Sequence, residues 1–102
     1  MTIKLVDRGT EGELLLEGTL NSLAVSEAEV ILDRMIARFD RLIVNMIGVD
    51  YVFTPGLRLL KKTHLAMQQK GGEMVVTYVS KESMDVFELA GFSGLLHFAH
   101  EA

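Results

Sequence analysis

Apolar and polar positions alternate in this chain with two different periods, and the changes of period divide it into elements. Residues 3–7 and 13–20 follow a period of two, which predicts a pair of strands joined by a turn at Gly9-Thr10-Glu11-Gly12. In the second strand, Leu14, Leu16 and Thr19 point opposite to Glu13, Leu15 and Glu17. Ala28, Ile31, Leu32, Met35, Ile36 and Phe39 then keep the i, i+3, i+4 spacing of one apolar helical face. Ser26 with Glu29 three residues on reads as a capping box for that helix, with a start near Asn21 or Ser22 as the alternative. Arg41 to Ile47 is almost wholly apolar, as in a strand central to its sheet. A second helix is predicted from Pro55 to Gln69 and stopped by Gly71 and Gly72. Its inner face carries Leu57, Leu59, Leu60, His64 and Met67, while Arg58, Lys61, Lys62 and Gln69 face water. Met74 to Val79 forms another apolar strand, and Ser80 caps a short third helix through Ala90, ended by Gly91. Phe92 to Phe98 reads as an irregular turn and a short edge segment.

This order, β-β-α-β-α-β-α, predicts an α/β fold: one domain over residues 1–102, with a mixed sheet of four to five strands and helices packed on it. In such folds ligands and partners meet the loops at the C-terminal ends of the parallel strands. The loop at 48–55 is one such end, and the loop containing Ser80 is another. At 49–60 a strand feeds a helix N-terminus, where unpaired backbone N–H groups and the helix dipole favour an anion. Thr54 is placed as N-cap and Pro55 as the first helical residue, where a missing N–H costs nothing. The Thr54 hydroxyl therefore sits where a phosphate would be stabilised.

Composition narrows the choice of function. The 102 residues, 49% apolar and 24% charged, suit one hydrophobic core. The absence of Cys excludes disulfides, thiol catalysis and cysteine metal sites. Net charge is −4, and Glu29, Asp33 and Asp40 dilute the cluster of Arg34, Arg38 and Arg41, so nucleic-acid binding is not expected. No apolar run approaches the roughly 20 residues that span a bilayer, and Met1-Thr2-Ile3-Lys4 lacks a signal-peptide pattern. The expectation is a cytoplasmic protein without membrane insertion. No acid–base pair, nucleophile–histidine spacing or phosphate loop appears, so neither enzyme activity nor a cofactor is expected. His97, His100 and Glu101 gather near the end without a further donor, and no metal is expected. Asp50 reads as a turn former. Phe53, beside Tyr51 and Val52, either forms an exposed apolar patch suited to a protein partner or folds back over the second helix.

Several segments together carry a resemblance. They are Glu17-Gly18-Thr19-Leu20-Asn21, Arg41-Leu42-Ile43-Val44-Asn45-Met46, Gly48-Val49-Asp50-Tyr51, Gly56-Leu57-Arg58-Leu59-Leu60, Lys70-Gly71-Gly72-Glu73-Met74 and Val86-Phe87-Glu88-Leu89-Ala90-Gly91-Phe92. In this order and spacing the chain resembles the bacterial anti-sigma factor antagonists, single STAS domains, over nearly its full length. In that family the junction commonly reads D-S-S-G-L. Its serine before the glycine is phosphorylated by a partner kinase, itself the anti-sigma factor, which releases the antagonist. Here the junction reads F-T-P-G-L: Phe53 stands at the acid, Thr54 at the first serine and Pro55 at the acceptor.

Pro55 has no hydroxyl, so two readings stay open. Either Thr54 is an alternative acceptor, or it is an N-cap in a domain that binds without phosphorylation. The resemblance implies partner switching with a serine/threonine kinase of the histidine-kinase-like ATPase type, and a weak homodimer is a further candidate. The expected contact surface is Asn21, Ser22, Asp50, Phe53, Thr54, Pro55, Gly56, Leu57, Arg58, Lys61 and Lys62. Asp50 is also a candidate to compensate for the acid lost at Phe53. Two other classes resemble it less directly: a STAS-like accessory subunit of a lipid ABC transporter, and a scaffold subunit of a sensory assembly.

Overall fold

The computed structural model describes residues 1–92 and 94–99. These form β1 (Thr2–Asp7), β2 (Glu11–Leu20), α1 (Ser22–Arg38), β3 (Arg41–Val52), α2 (Thr54–Gln69), β4 (Glu73–Thr77), α3 (Lys81–Leu89) and β5 (His97–Ala99). The sheet order is β1-β2-β3-β4-β5, with β1 antiparallel to β2 and every later pair parallel. The expected α/β order is present, and the expected short edge segment is β5. Each parallel step crosses over through a helix. Right-handed crossovers in a sheet that grows in one direction place those helices on one face.

The core sits between that face and the helices. Leu14, Leu16, Val44, Met46 and Val76 meet Ala28, Leu32 and Met35 of α1, Leu57, Leu60 and Met67 of α2, and Phe87 of α3. No helix is long and apolar enough to cross a membrane among the described residues.

Several expected boundaries move. The first turn is shorter than Gly9 to Gly12, because Glu11 already pairs with Arg41 of β3 and Gly12 pairs with both Asp7 and Leu42. Gly9 turns the chain at φ +87, and its N–H donates to Asp7 Oδ1 at 2.9 Å. Glu13, expected on the β2 face opposite Leu14 and Leu16, is buried. It accepts from Asn45 Nδ2 at 3.0 Å and lies 2.6 Å from an Arg8 guanidinium nitrogen. Burial pushes its carboxyl up, but the Asn45 amide and the Arg8 guanidinium outweigh that and hold it below the usual carboxylate value.

α1 takes the alternative start, running from Ser22 with Asn21 as N-cap, whose Oδ1 accepts from the Ala24 N–H at 3.0 Å. Ser26 instead donates to the Ser22 carbonyl at 3.2 Å, so the capping box is not formed. Starting a turn earlier lets α1 bury Ala24 as well as Ala28. At the other end of α1, Lys70 Nζ donates to the carbonyls of Ile36 and Phe39, at 2.7 and 2.9 Å. α3 keeps its expected caps, with Ser80 Oγ accepting from the Ser83 N–H and Gly91 at φ +77 beyond its end.

His64 is buried on α2, 1% exposed, with its ring centroid 5.6 Å from that of His97. Its Nδ1 has no hydrogen-bond partner among the described residues. Burial, and then the charge of His97, hold its pKa below the ordinary value. His100 and Glu101, weighed with His97 as metal ligands, lie outside the described residues.

Two predictions follow from these placements. Asn21→Ala is expected to lower unfolding free energy by about 1 kcal/mol and Ser26→Ala by less than about 0.5 kcal/mol, measured by urea denaturation. The reverse order would restore the capping box. For His64 the depressed folded pKa means that its stabilising effect is fully present above the unfolded value of about 6.5 and is lost as pH falls through the folded value. Urea midpoints are therefore expected to drop between about pH 7 and pH 5 in the wild type, and to drop less in His64→Leu.

Candidate functional site

β3 reaches further than its apolar run indicated. It continues through Val52, with Glu17 opposite Gly48, Gly18 opposite Val49, Thr19 opposite Tyr51 and Leu20 opposite Val52. Register shifts between Leu15 and Glu17 and between Gly18 and Thr19 accommodate it. Asn45 supports the first irregularity, since its Oδ1 accepts from the Ile47 N–H at 3.0 Å. Pairing of β3 with β4 ends at Asn45 and Thr77, so residues beyond Asn45 form a ribbon with β2 alone. The expected loop at 48–55 is therefore strand as far as Val52.

The connection from strand to helix is Phe53. Its N–H donates to the Leu20 carbonyl at 3.1 Å, and its own carbonyl accepts from Gly56 at 2.8 Å and Leu57 at 3.3 Å. Phe53, in extended conformation, is thus the N-cap residue, and no side chain caps the helix. Thr54 is the first helical residue and Pro55 the second, so the helix starts one residue earlier than expected. Phe53 serves both elements: its N–H is the last step of the ladder to Leu20, while its carbonyl already accepts the first helical bonds.

This geometry also narrows the expected anion site. Pro55 supplies no N–H, and those of Gly56 and Leu57 already serve the Phe53 carbonyl. Thr54 keeps the first-turn N–H without a partner among the described residues.

Gly56 is needed for close approach. A Cβ there would lie 2.8 Å from Leu20 Cγ and Cδ2 and 3.1 Å from Val52 Cγ1. Both of those side chains are fully buried, so neither has space to retreat into. The glycine of F-T-P-G-L thus lets α2 sit directly on the end of the β2–β3 ribbon.

Above this seam the side chains are open. Tyr51 and Phe53 are 42% and 48% exposed, with ring centroids 4.8 Å apart and planes at 69°, an edge-to-face pair. Of the two expectations for Phe53, the exposed patch is the one observed; Val52 does not share it, being 1% exposed. Asp50 is not a turn former but an exposed strand residue, and its Oδ1 accepts from Thr19 Oγ1 at 2.7 Å.

The structure brings Asn21 and Ser22 beside Phe53 through the Leu20 contact, and both are exposed. Gly56 and Leu57 are buried and offer a partner no side-chain surface. Arg58 and Lys61 are exposed without an ion pair among the described residues, whereas Lys62 bonds Glu29 of α1 at 2.8 Å. Leu23, 72% exposed in the first turn of α1, and Tyr78, 38% exposed at the C-terminal end of β4, were not singled out by the pattern. Tyr78 adopts φ +54, a strained conformation for a bulky residue, and nothing in an apolar strand sequence signals it.

This arrangement has company. Residues 6–101 match the STAS domain family, and the chain belongs to that family. It is 28% identical over 101 residues to a protein of Bordetella bronchiseptica named "Putative anti-sigma factor antagonist BtrV", covering 96% of this chain and 87% of that one. The unphosphorylated anti-sigma factor antagonist SpoIIAA shares the fold with a TM-score of 0.85 at 17% identity, over 98% of this chain and 90% of that one. An anti-sigma factor antagonist of Mycobacterium paratuberculosis does so with a TM-score of 0.86 at 15% identity, over 97% and 85%.

The packing at Gly56 gives a direct test. Gly56→Ala is expected to lower unfolding free energy by about 1–2 kcal/mol, because the clash with Leu20 exceeds the gain in helix propensity. A denaturation midpoint at or above that of the wild type would show that α2 has room to move away.

Proposed function

We propose that this STAS domain is a protein-binding antagonist in a partner-switching system, and that it captures a kinase-type anti-sigma factor through the β3–α2 junction. The exposed Tyr51–Phe53 pair carries this reading. Paired aromatic rings standing half out of the surface, at the end of the sheet where parallel strands finish, suit the buried anchor of a protein interface. The name borne by the Bordetella relative agrees with it. Asn21, Ser22, Thr54, Pro55, Arg58 and Lys61 surround the pair as the polar and basic rim, with Asp50 held against Thr19 at its edge. No catalytic step and no cofactor belong to this reading, and its setting is the cytoplasm.

Thr54 is the candidate phosphoacceptor of this junction. Its hydroxyl is not spent on capping, which removes the main structural reason for a threonine there. A phosphate on it would add about −1.5 to −2 charges beside the Phe53 anchor. Arg58, four residues further along the same helical face, would be within reach to pair with it. Binding to the partner would then weaken by desolvation and by loss of Arg58 from the rim.

The test is binding to the purified partner kinase, with affinities measured by calorimetry. Phe53→Ala is expected to weaken the complex by about 2 kcal/mol, close to thirtyfold. Thr54→Glu is expected to weaken it far more than Thr54→Ala. Wild-type affinity in Phe53→Ala would remove the aromatic anchor from the account, and equal binding by both Thr54 variants would remove the switch.

A further inference from the structure

Two surfaces outside the aromatic anchor are opposite in charge, and each exposes a leucine. The first is a groove of about 450 Å³ along the outer side of α2, lined by Arg58, Lys61, Lys62, Leu65, Ala66 and Gln69. These residues are spaced by threes and fours, so they form one stripe about 16 Å long at 1.5 Å rise per residue. The stripe is basic at its N-terminal end and apolar further along, where Leu65 is 40% exposed. Glu29 engages Lys62 from α1, while Arg58 and Lys61 have no ion-pair partner among the described residues.

The second surface is the outer side of α3. Leu89 stands 90% exposed at its end, the most exposed of the large apolar side chains among the described residues. Asp85 and Glu88 lie one turn and one residue before it, and Glu82 a turn earlier, all exposed. Lys81 adds one cation at the start of the helix, which leaves this face net acidic. α3 has 9 residues, about 13 Å of helix, so it fits within the length of the α2 stripe.

We propose that this chain self-associates head to tail, the acidic face of α3 in one copy lying along the basic groove of α2 in the next. Leu89 would seat over Leu65 and Ala66, which removes exposed apolar surface from water on both sides. Asp85 and Glu88 would meet Arg58 and Lys61, the cations left free within each copy. Because the two surfaces differ, the contact is heterologous: each copy keeps one groove and one knob free, and chains of copies extend. Arg58 and Lys61 also belong to the rim proposed for the partner kinase, so self-association would withhold that rim. The self-association itself stands apart from the partner reading, since it needs no second protein.

Sedimentation of the purified chain alone tests the idea, at about 0.05–1 mM, the range in which small polar interfaces assemble. The weight-average mass is expected to climb beyond that of a dimer as concentration rises, and to fall back toward the monomer when about 0.5 M salt screens the ion pairs. Arg58→Glu/Lys61→Glu removes the groove, and Leu89→Ser/Glu88→Lys removes the knob. All four positions are exposed, and unchanged thermal unfolding would show each variant folded. Each variant alone is expected to remain monomeric, while an equimolar mixture forms dimers and nothing larger, through the one intact pair of surfaces. A wild type that stays monomeric throughout would overturn the proposal. So would variants that associate as the wild type does, or a mixture that stays monomeric.

Discussion

The hydrogen bond from the Phe53 amide to the Leu20 carbonyl ties the residue after β3 to the last residue of β2. It extends the β2–β3 ladder by one step and leaves a single residue to turn from strand to helix. Because the turn is so short, α2 must start directly over the ribbon, and the absence of a side chain at Gly56 is what permits it. The same short turn spends the Phe53 carbonyl on starting the helix, and the residue is left half exposed. The ring stands out next to Tyr51. A tight seam below and an open aromatic pair above are two sides of one constraint.

The helices and the central strands were legible in the sequence because their signal is periodic burial. Leu32 and Met35 in α1, Leu60 and Met67 in α2, and Leu42 to Met46 in β3 all lie where their spacing predicts. Ends were less legible because they depend on which of two local bonds wins. Of the two starts the sequence offered for α1, Asn21 wins over Ser26 since Ala24 gains burial, a tertiary effect that the capping patterns do not rank. Thr54 does not cap because the Phe53 carbonyl takes the first helical bonds, which starts the helix one residue earlier. The burial of Glu13 was not legible because its partners, Arg8 and Asn45, come from the preceding turn and a strand more than thirty residues away.

At the site itself, the sequence located the junction but not its architecture. The strand character of 48–52 was hidden by Asp50, which read as a turn former until Thr19 is seen to hold it across the ribbon. Exposure of Phe53 was an open question on the sequence and is plain in the structure. The change from D-S-S-G-L to F-T-P-G-L now has a physical meaning at each position. The glycine is fixed by packing against Leu20, and the proline removes both a hydroxyl and an N–H. The phenylalanine trades a charge for apolar surface, and the threonine keeps a hydroxyl free. On the proposed reading, the junction relies on an aromatic anchor more than on an anion cradle.

Whether that anchor meets a partner is open to direct measurement. A photo-crosslinking phenylalanine analogue placed at position 53, with the same analogue at Lys4 on β1 as control, would report what touches each surface in the native host. The account predicts an identified ATP-binding anti-sigma kinase crosslinked from position 53 and absent from position 4. The same kinase captured equally from both positions, or captured from position 4 alone, would contradict it.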